Sequence, residues 1–301
     1  MEGPIVVTGG TGLVGGALLA VLEAQRAPVR ALVRGSGRLE GVTEISWDGT
    51  TPPAGSLDGA AAVVHLAGEP IFGGLPTEAR RKRLRSSRID STRAFVAALA
   101  ALPEERRPRT FVCASAVGYY GDRGEDLLDE SAEPGEGFLS ELCVDWEATA
   151  AEASRLGVRV CSLRIGVVLS SEGGALPMMA RPFKLGLGGR LGSGRQWFPW
   201  IHRDDLVAMI VAALEDARWE GPVNAVSPEP VRNEDLTRAL GRALHRPTLF
   251  AVPAFAIRAA LGEISGELVG SKRVTPRRAG ELGFAFRFRS LSEALSAELS
   301  D

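Results

Sequence analysis

Thr8-Gly9-Gly10-Thr11-Gly12-Leu13-Val14-Gly15 separates a short apolar run, Ile5-Val6-Val7, from a segment with helical spacing that extends to Ala24. Leu18, Leu19 and Leu22 recur on one face of that segment, so the chain reads strand, glycine turn, helix. Each glycine has its own use. Gly9 permits the tight turn out of the strand, Gly12 lets backbone approach a pyrophosphate, and Gly15 lets the helix pack near the sheet. The helix start adds free N–H groups and a partial positive charge. Gly10, Thr11, Leu13 and Val14 complete the stretch expected to hold the diphosphate of a dinucleotide.

Outward from this turn, β-type runs alternate with helical patterns. Val29 to Val33 reads as a second strand, Thr43 to Trp47 as a third, and Ala61 to Leu66 as a strand buried on both faces. A long helix is predicted over Thr77 to Leu102, a strand over Phe111 to Ala114, a helix over Leu139 to Leu156 and a strand over Val158 to Leu163. The alternation predicts an α/β fold, a Rossmann doubly wound parallel sheet with helices on both faces. Beyond Ser170 the pattern loosens into a Gly- and Arg-rich loop, Gly186 to Gly194, and helices over Asp204–Glu215, Asn233–Leu244, Pro253–Leu261 and Ser290–Leu299. The expected organisation is a Rossmann domain over 1–170, its sheet completed by residues 200–228. A smaller, mainly helical substrate lobe follows over 171–301.

The end of the second strand selects the dinucleotide. An NAD site places an acid there to accept from the ribose 2′-OH, but this chain has Val33-Arg34-Gly35-Ser36. Arg34 is suited to stack on adenine and pair with a 2′-phosphate, and Ser36 to donate to it. The expected cofactor is NADP(H).

Composition narrows the rest. The 301 residues carry a formal net charge of −2, which gives no global attraction to nucleic acid or to a membrane surface. Arg80 to Arg85 is basic around most of its helix with no interleaved aromatics, so it reads as a solvated helix start near the cofactor phosphates. Cys113, Cys143 and Cys161 are an odd number and lie far apart, which suits neither a disulfide framework nor a metal site. Met1 leads into the first strand without a basic leader, and no apolar run is long enough to cross a bilayer. A soluble cytoplasmic protein with a small-molecule substrate is expected, and both a monomer and a homodimer remain open.

Several segments resemble the short-chain dehydrogenase/reductase superfamily in its extended, epimerase-like branch: Thr8 to Gly15, His65-Leu66-Ala67-Gly68, Ser115 to Gly121, and Trp200-Ile201-His202-Arg203-Asp204-Asp205. Ala67-Gly68-Glu69-Pro70-Ile71, Ser87-Arg88-Ile89, Gly135 to Leu139, Gly186 to Gly189 and Pro276-Arg277-Arg278 are similar to an atypical subgroup. Its members are the epimerase-family proteins labelled sugar-nucleotide epimerase or, loosely, cell-division inhibitor. The resemblance implies Leu66, Ala67 and Gly68 along the adenosine and ribose, Glu69 and Arg88 near the cofactor, and Gly166 and Val167 near the nicotinamide. The residues agree about location, because open α/β sheets bind ligands at the carboxyl ends of their strands.

Active members of that superfamily use a Ser/Thr, a Tyr and a Lys, the last two as Tyr-x-x-x-Lys on one helical face. There the Lys lowers the Tyr pKa and binds ribose, while the Tyr passes a proton as hydride moves. This chain has two tyrosines, Tyr119 and Tyr120, and neither is followed by Lys at that spacing. Aligned on Glu147, the helix that should carry the pair has Leu139 and Cys143 there; shifted by one residue it has Phe138 and Leu142. Ser115 keeps the serine role, and Ser115, Tyr119 and Tyr120 are the catalytic candidates.

On the substrate side, Gly192 to His202 packs three large aromatics, an Arg and a Gln into eleven residues. Arg195, Trp197 and His202 are the candidate substrate residues, the stretch forming either a lid over a planar ligand or an apolar pin between lobes. Asp204 or Asp205 reads as a helix N-cap. Two functions follow: an NADP(H)-binding, epimerase-like oxidoreductase with an atypical active site, or an NADP(H)-binding sensor without turnover.

Overall fold

The computed structural model describes residues 3–35, 39–72, 74 and 77–299; Ser36 lies outside them. Seven strands form the main sheet: β1 (Ile5–Thr8), β2 (Val29–Val33), β3 (Thr43–Ser46), β4 (Ala62–His65), β5 (Thr110–Ala116), β6 (Arg159–Ile165) and β7 (Gly221–Ala225). Their order is β7-β6-β5-β4-β1-β2-β3, and every pair from β5 across to β3 is parallel. β1 and β4 are buried at every position, which is why they read as unbroken apolar runs. The sequence of crossovers reverses between β1 and β4. A doubly wound sheet opens a crevice at such a point, at the carboxyl ends of the strands.

Helix α1 (Leu13–Ala24) buries Gly15, Leu18, Leu19 and Leu22, the stripe that its spacing predicts. The long helix expected over 77–102 is interrupted. It runs as α2 (Glu78–Arg85), a π turn (Ser86–Asp90) and α3 (Ser91–Ala101). Thr77 caps α2 by accepting the Arg80 N–H. The next helix, α4 (Phe138–Ala151), tightens into a 3-10 turn through Leu156.

Two compact units divide the chain. One comprises Met1–Ser115, Leu142–Leu163 and Val207–Val223; the other comprises Ala116–Glu141, Arg164–Leu206 and Asn224–Asp301. The chain therefore passes between units more than once, where the sequence draws a single boundary near residue 170. β7, at the edge of the sheet, lies within residues 200–228. The second unit has its own core, in which Phe183, Phe198, Trp200, Leu236, Leu240, Phe288 and Leu295 pack together. Phe198 and Trp200 thus serve this core rather than a lid.

Helix α5 (Arg203–Glu215) begins one residue before the expected cap. Asp205 caps nothing there; its carboxylate accepts the backbone N–H groups of Arg287 (2.7 Å) and Phe288 (3.0 Å). The Asp204 N–H instead donates to His202 Nδ1 at 3.1 Å. Buried acids that receive backbone N–H groups are hard to distinguish from caps in sequence, because both chemistries select the same residue.

Candidate functional site

A cavity of about 250 Å³ lies within the first unit, at the carboxyl ends of β1, β2 and β4. Its lining includes Gly9, Thr11 and Gly12 from the glycine turn, Arg34 beyond β2, and Leu66 to Pro70 beyond β4. Leu32, Val33, Trp47, Gly49 and Ser87 complete it. The sequence-predicted cofactor residues Gly9, Thr11, Gly12, Arg34, Leu66, Ala67, Gly68 and Glu69 are therefore brought together.

The turn has the geometry its glycines require. Gly9 has φ +75°, a left-handed conformation that side chains disfavour. A Cβ on Gly15 would stand 2.1 Å from the Gly9 carbonyl oxygen, so the helix touches the turn backbone to backbone. Gly12, at the N-cap of α1, offers no side-chain cap, which leaves helix N–H groups for an anion. Gly10 is buried, and its Cβ position meets Leu19 at 2.9 Å. Leu13 and Val14 begin α1, half-buried.

Behind the turn, Thr8 ties β1 to the loop after β4. Its hydroxyl oxygen accepts the N–H groups of Leu66 (3.2 Å) and Ala67 (3.1 Å) and lies 2.8 Å from His65 Nδ1. A hydroxyl that accepts twice has its proton free to donate to Nδ1, which puts the imidazole proton on Nε2, 3.2 Å from Ser91 Oγ. His65 is wholly buried against Phe95, and burial pushes its pKa down to about 3. It is a neutral strut that fixes the cavity loop.

The far side of the loop is held by arginines. Arg80 Nη1 pairs with Glu69 Oε1 at 2.6 Å, and its other amino group donates to the Pro70 carbonyl. Arg88 Nη2 donates to the Glu69 carbonyl at 3.0 Å, and the Glu69 N–H donates to Ser87 Oγ at 3.1 Å. Arg80 is 5% exposed, so the basic run is not a uniformly solvated helix start. Arg80 as a loop-holding residue is absent from the sequence reading. The available signal was the i, i+4, i+8 spacing of Arg80, Leu84 and Arg88, which puts them on one buried face.

No carboxylate follows β2; the chain passes from Val33 directly to Arg34, which is exposed at the cavity. The Trp47 indole N–H, in a residue of the lining, has no hydrogen-bond partner among the described residues. The cradle thus fits a dinucleotide, with backbone donors at the glycine turn and a cation beyond β2.

The catalytic candidates divide. Ser115, on β5, donates to Glu147 Oε1 at 2.6 Å, a partner that the sequence used only as an alignment mark. Tyr120 belongs to the buried interior of the second unit. Its hydroxyl donates to Asn224 Oδ1 (2.7 Å) and receives Arg164 Nη1 (2.9 Å), while burial raises its pKa to about 12. That makes it a structural pin, not an exchangeable acid. Tyr119 is half-buried, with the Arg164 guanidinium 3.4 Å above its ring centre and no hydrogen bond from its hydroxyl to a described residue. Leu139 and Cys143, at the Tyr and Lys positions, are both buried.

Gly166 and Val167 lie beyond β6, where the Gly166 N–H donates to the Ala225 carbonyl. Neither is among the cavity residues. Of the substrate candidates, Arg195 is exposed. Trp197 donates to Glu125 at 3.0 Å and lies under the guanidinium groups of Arg232 (4.3 Å) and Arg273 (4.7 Å). His202 is a correction. It is 2% exposed, stacks on Phe288 with ring centres 3.7 Å apart, and is held uncharged by burial. Its Nε2 is 2.9 Å from Glu298 Oε1 but off the line of a hydrogen bond, so the ring is held by its stacking on Phe288 and by the Asp204 N–H.

Among the described residues no cluster of His, Cys, Asp or Glu could hold a metal, and no helix is long and apolar enough to cross a membrane. None of the three cysteines is in a disulfide, and all three are buried.

Residues 5–225 match the NAD dependent epimerase/dehydratase family, and residues 252–298 match a domain of unknown function, DUF1731. The epimerase family protein SDR39U1 homolog of Arabidopsis thaliana, described as chloroplastic, is 39% identical over 97% of this chain and 86% of its own length. The Bacillus subtilis epimerase family protein YfhF is 37% identical over 99% and 98%. Human epimerase family protein SDR39U1, crystallised with NADPH, superposes with a TM-score of 0.89 at 33% identity, covering 99% of both chains. The nucleoside-diphosphate sugar epimerase of Corynebacterium glutamicum gives 0.80 at 36% identity, over 99% of this chain and 58% of that one. With the glycine turn, the sheet order and the full-length relatives in agreement, this chain belongs to the NAD dependent epimerase/dehydratase family, among the SDR39U1-like epimerase family proteins.

Proposed function

We propose that this protein binds NADP(H) and works as an epimerase-like oxidoreductase whose active site dispenses with the Tyr-x-x-x-Lys pair. The observation that carries the reading is Arg34. It stands at the mouth of a glycine-lined cavity where an NAD site would place an acid. The human relative's crystallisation with NADPH supports the same choice.

When bound, the nicotinamide ring supplies the hydride chemistry. The chain's own residues bind and orient. Gly9 to Gly15 hold the diphosphate on the α1 N-terminus, Arg34 pairs with the 2′-phosphate, and Leu66 to Gly68 run along the adenosine side. Ser115, tethered to Glu147, offers a fixed hydroxyl, and Tyr119 is the tyrosine with an uncommitted one. Arg195 and Trp197 belong to the substrate side.

Titration of fluorescence with NADPH and NADH tests this. Wild-type protein is expected to prefer NADPH at least tenfold. Arg34→Ala should weaken NADPH by about 10- to 100-fold, the worth of one charge-assisted contact, and leave NADH unchanged. Equal affinity for both coenzymes in the wild type overturns the role given to Arg34.

The burial of Leu139 and Cys143 favours a second reading, a nucleotide-binding sensor without turnover. Screening carbonyl compounds and sugar nucleotides for NADPH oxidation separates the two. Turnover of any of them excludes the sensor.

A further inference from the structure

The balanced charge of the whole chain conceals a local separation. There are 37 acidic residues among 301, yet none lies between Gly173 and Arg203 or between Leu236 and Gly262. Both stretches belong to the second unit, and the fold sets them side by side. The strand Gly189–Leu191 of the first pairs in parallel with the strand Phe250–Val252 of the second. A Cβ on Gly192 would lie 3.5 Å from the Ala254 Cβ, where the helix Ala254–Leu261 begins.

This region is also where apolar surface meets water. Seven of the ten large apolar side chains exposed among the described residues come from these two stretches. Leu249 is 84% exposed, Phe255 73% and Leu185 69%, and Phe250 and Leu187 accompany them. Side chains exposed to this degree project from the surface rather than line a groove.

The cations beside them lack counter-charges. Arg181, Lys184, Arg242 and Arg246 are exposed, and none has an ion pair with a described residue. A cavity of about 500 Å³ at the end of the helix Asn233–Ala243 has Arg238, Arg242, His245 and Arg246 in its wall. Of its arginines only Arg238 meets a carboxylate, that of Asp235. Thr248, in the same wall, leads directly into Leu249 and Phe250.

Projecting apolar side chains next to uncompensated cations have the chemistry of a surface that enters a lipid interface. A bilayer receives such side chains without shape complementarity, whereas a docked protein requires close packing at the centre of the contact. A second copy of the chain would set these cations against their own like charges.

We propose that this region binds the surface of an anionic phospholipid membrane, its apolar side chains entering the acyl boundary while the arginine-lined cavity receives a lipid phosphate. Attachment of this kind needs no spanning helix. It is independent of the cofactor reading, because none of these residues lines the glycine-turn cavity.

Co-sedimentation with vesicles tests it, comparing equal parts phosphatidylglycerol and phosphatidylcholine with phosphatidylcholine alone. Wild-type protein is expected to bind the anionic vesicles at least tenfold more strongly, and to be released as salt is raised. Arg242→Gln combined with Arg246→Gln should lower that binding by about 10- to 30-fold, roughly fivefold per cation. Phe250→Ser combined with Phe255→Ser should lower it by about 10- to 100-fold. Should either pair fail to fold in a thermal melt, Phe255→Trp decides. Fluorescence quenching by chain-brominated lipid beyond that of wild type supports the proposal, and no added quenching overturns it.

Wild-type protein that stays in solution with both vesicles overturns the proposal, as does equal binding to the two or binding that neither pair of substitutions changes. Protein that ignores vesicles but binds polyglutamate assigns the region to an acidic polypeptide instead. A dimer in sedimentation velocity that the Phe250→Ser, Phe255→Ser pair dissolves assigns it to a second copy. Either result overturns the membrane.

Discussion

Gly15→Ala is expected to lower NADPH affinity by at least 100-fold. The added Cβ would meet the Gly9 carbonyl oxygen at 2.1 Å, its carbon at 2.7 Å and the Gly10 Cα at 2.9 Å. All three are backbone atoms, so no flexible side chain can yield. The turn must move, yet the Gly12 N–H donates to that same Gly9 oxygen at 2.9 Å. Movement therefore disorders the donors that face the diphosphate. Overpacking of this kind also costs about 1–3 kcal/mol of stability. Gly16→Ala is the control. Its nearest neighbour is the Gly10 oxygen at 3.6 Å, and a helical Gly→Ala change is worth about 0.5–1 kcal/mol in the stabilising direction. Fluorescence titration and thermal melts on the pair give the answer. A Gly15→Ala protein that binds NADPH normally would sink the assignment of the turn as the diphosphate site.

Acidification should destabilise the protein steeply, with His65 the largest identifiable cause. In the fold its pKa is about 3; in the unfolded chain it returns to 6.5. Between those values the unfolded state takes up a proton that the native state refuses. Stability is thus fully present above pH 6.5 and lost as pH falls toward 3, at about 1.4 kcal/mol per pH unit. Over the whole window this amounts to roughly 4–5 kcal/mol, a large part of a typical domain's stability. His65→Phe removes the titration and suits the aromatic surroundings of Phe95 and Phe111, with ring centres 4.6 and 6.2 Å away. It also strands the Thr8 and Ser91 hydroxyls, so it should be less stable at pH 7 by about 1–3 kcal/mol. Urea denaturation from pH 4.5 to 7.5 compares the slopes. An equally steep acid limb in the variant would falsify the role given to His65.

The nucleotide half was largely legible in sequence because its constraints are local. Gly9, Gly12 and Gly15 each answer a backbone requirement within eight residues, and the absence of an acid after Val33 is visible by inspection. The π turn at Ser86–Asp90 was not legible, since one wide turn barely disturbs an apolar period. With it went the inward placement of Arg88 and the buried grip of Arg80 on Glu69. Tyr120 and His202 failed as chemical candidates for the converse reason. Side-chain type reveals what a group can do, and only packing reveals that its polar atoms are already committed to Asn224 and Arg164, or its ring to Phe288.

The interleaving of the two units bears on how the protein is made. The unit that contains the glycine turn takes its final segment, Val207–Val223, from a stretch synthesised long after β6. At ribosomal speeds of about 5–20 residues per second, synthesis from Ile165 at the end of β6 to Gly221 at the start of β7 takes roughly 3–11 seconds. During that interval β6 has emerged as an unpaired sheet edge, apolar at Val160, Cys161 and Leu163. Such an edge is a template for association with other nascent chains. A chain ended at residue 170 should therefore aggregate where one ended after residue 225 need not.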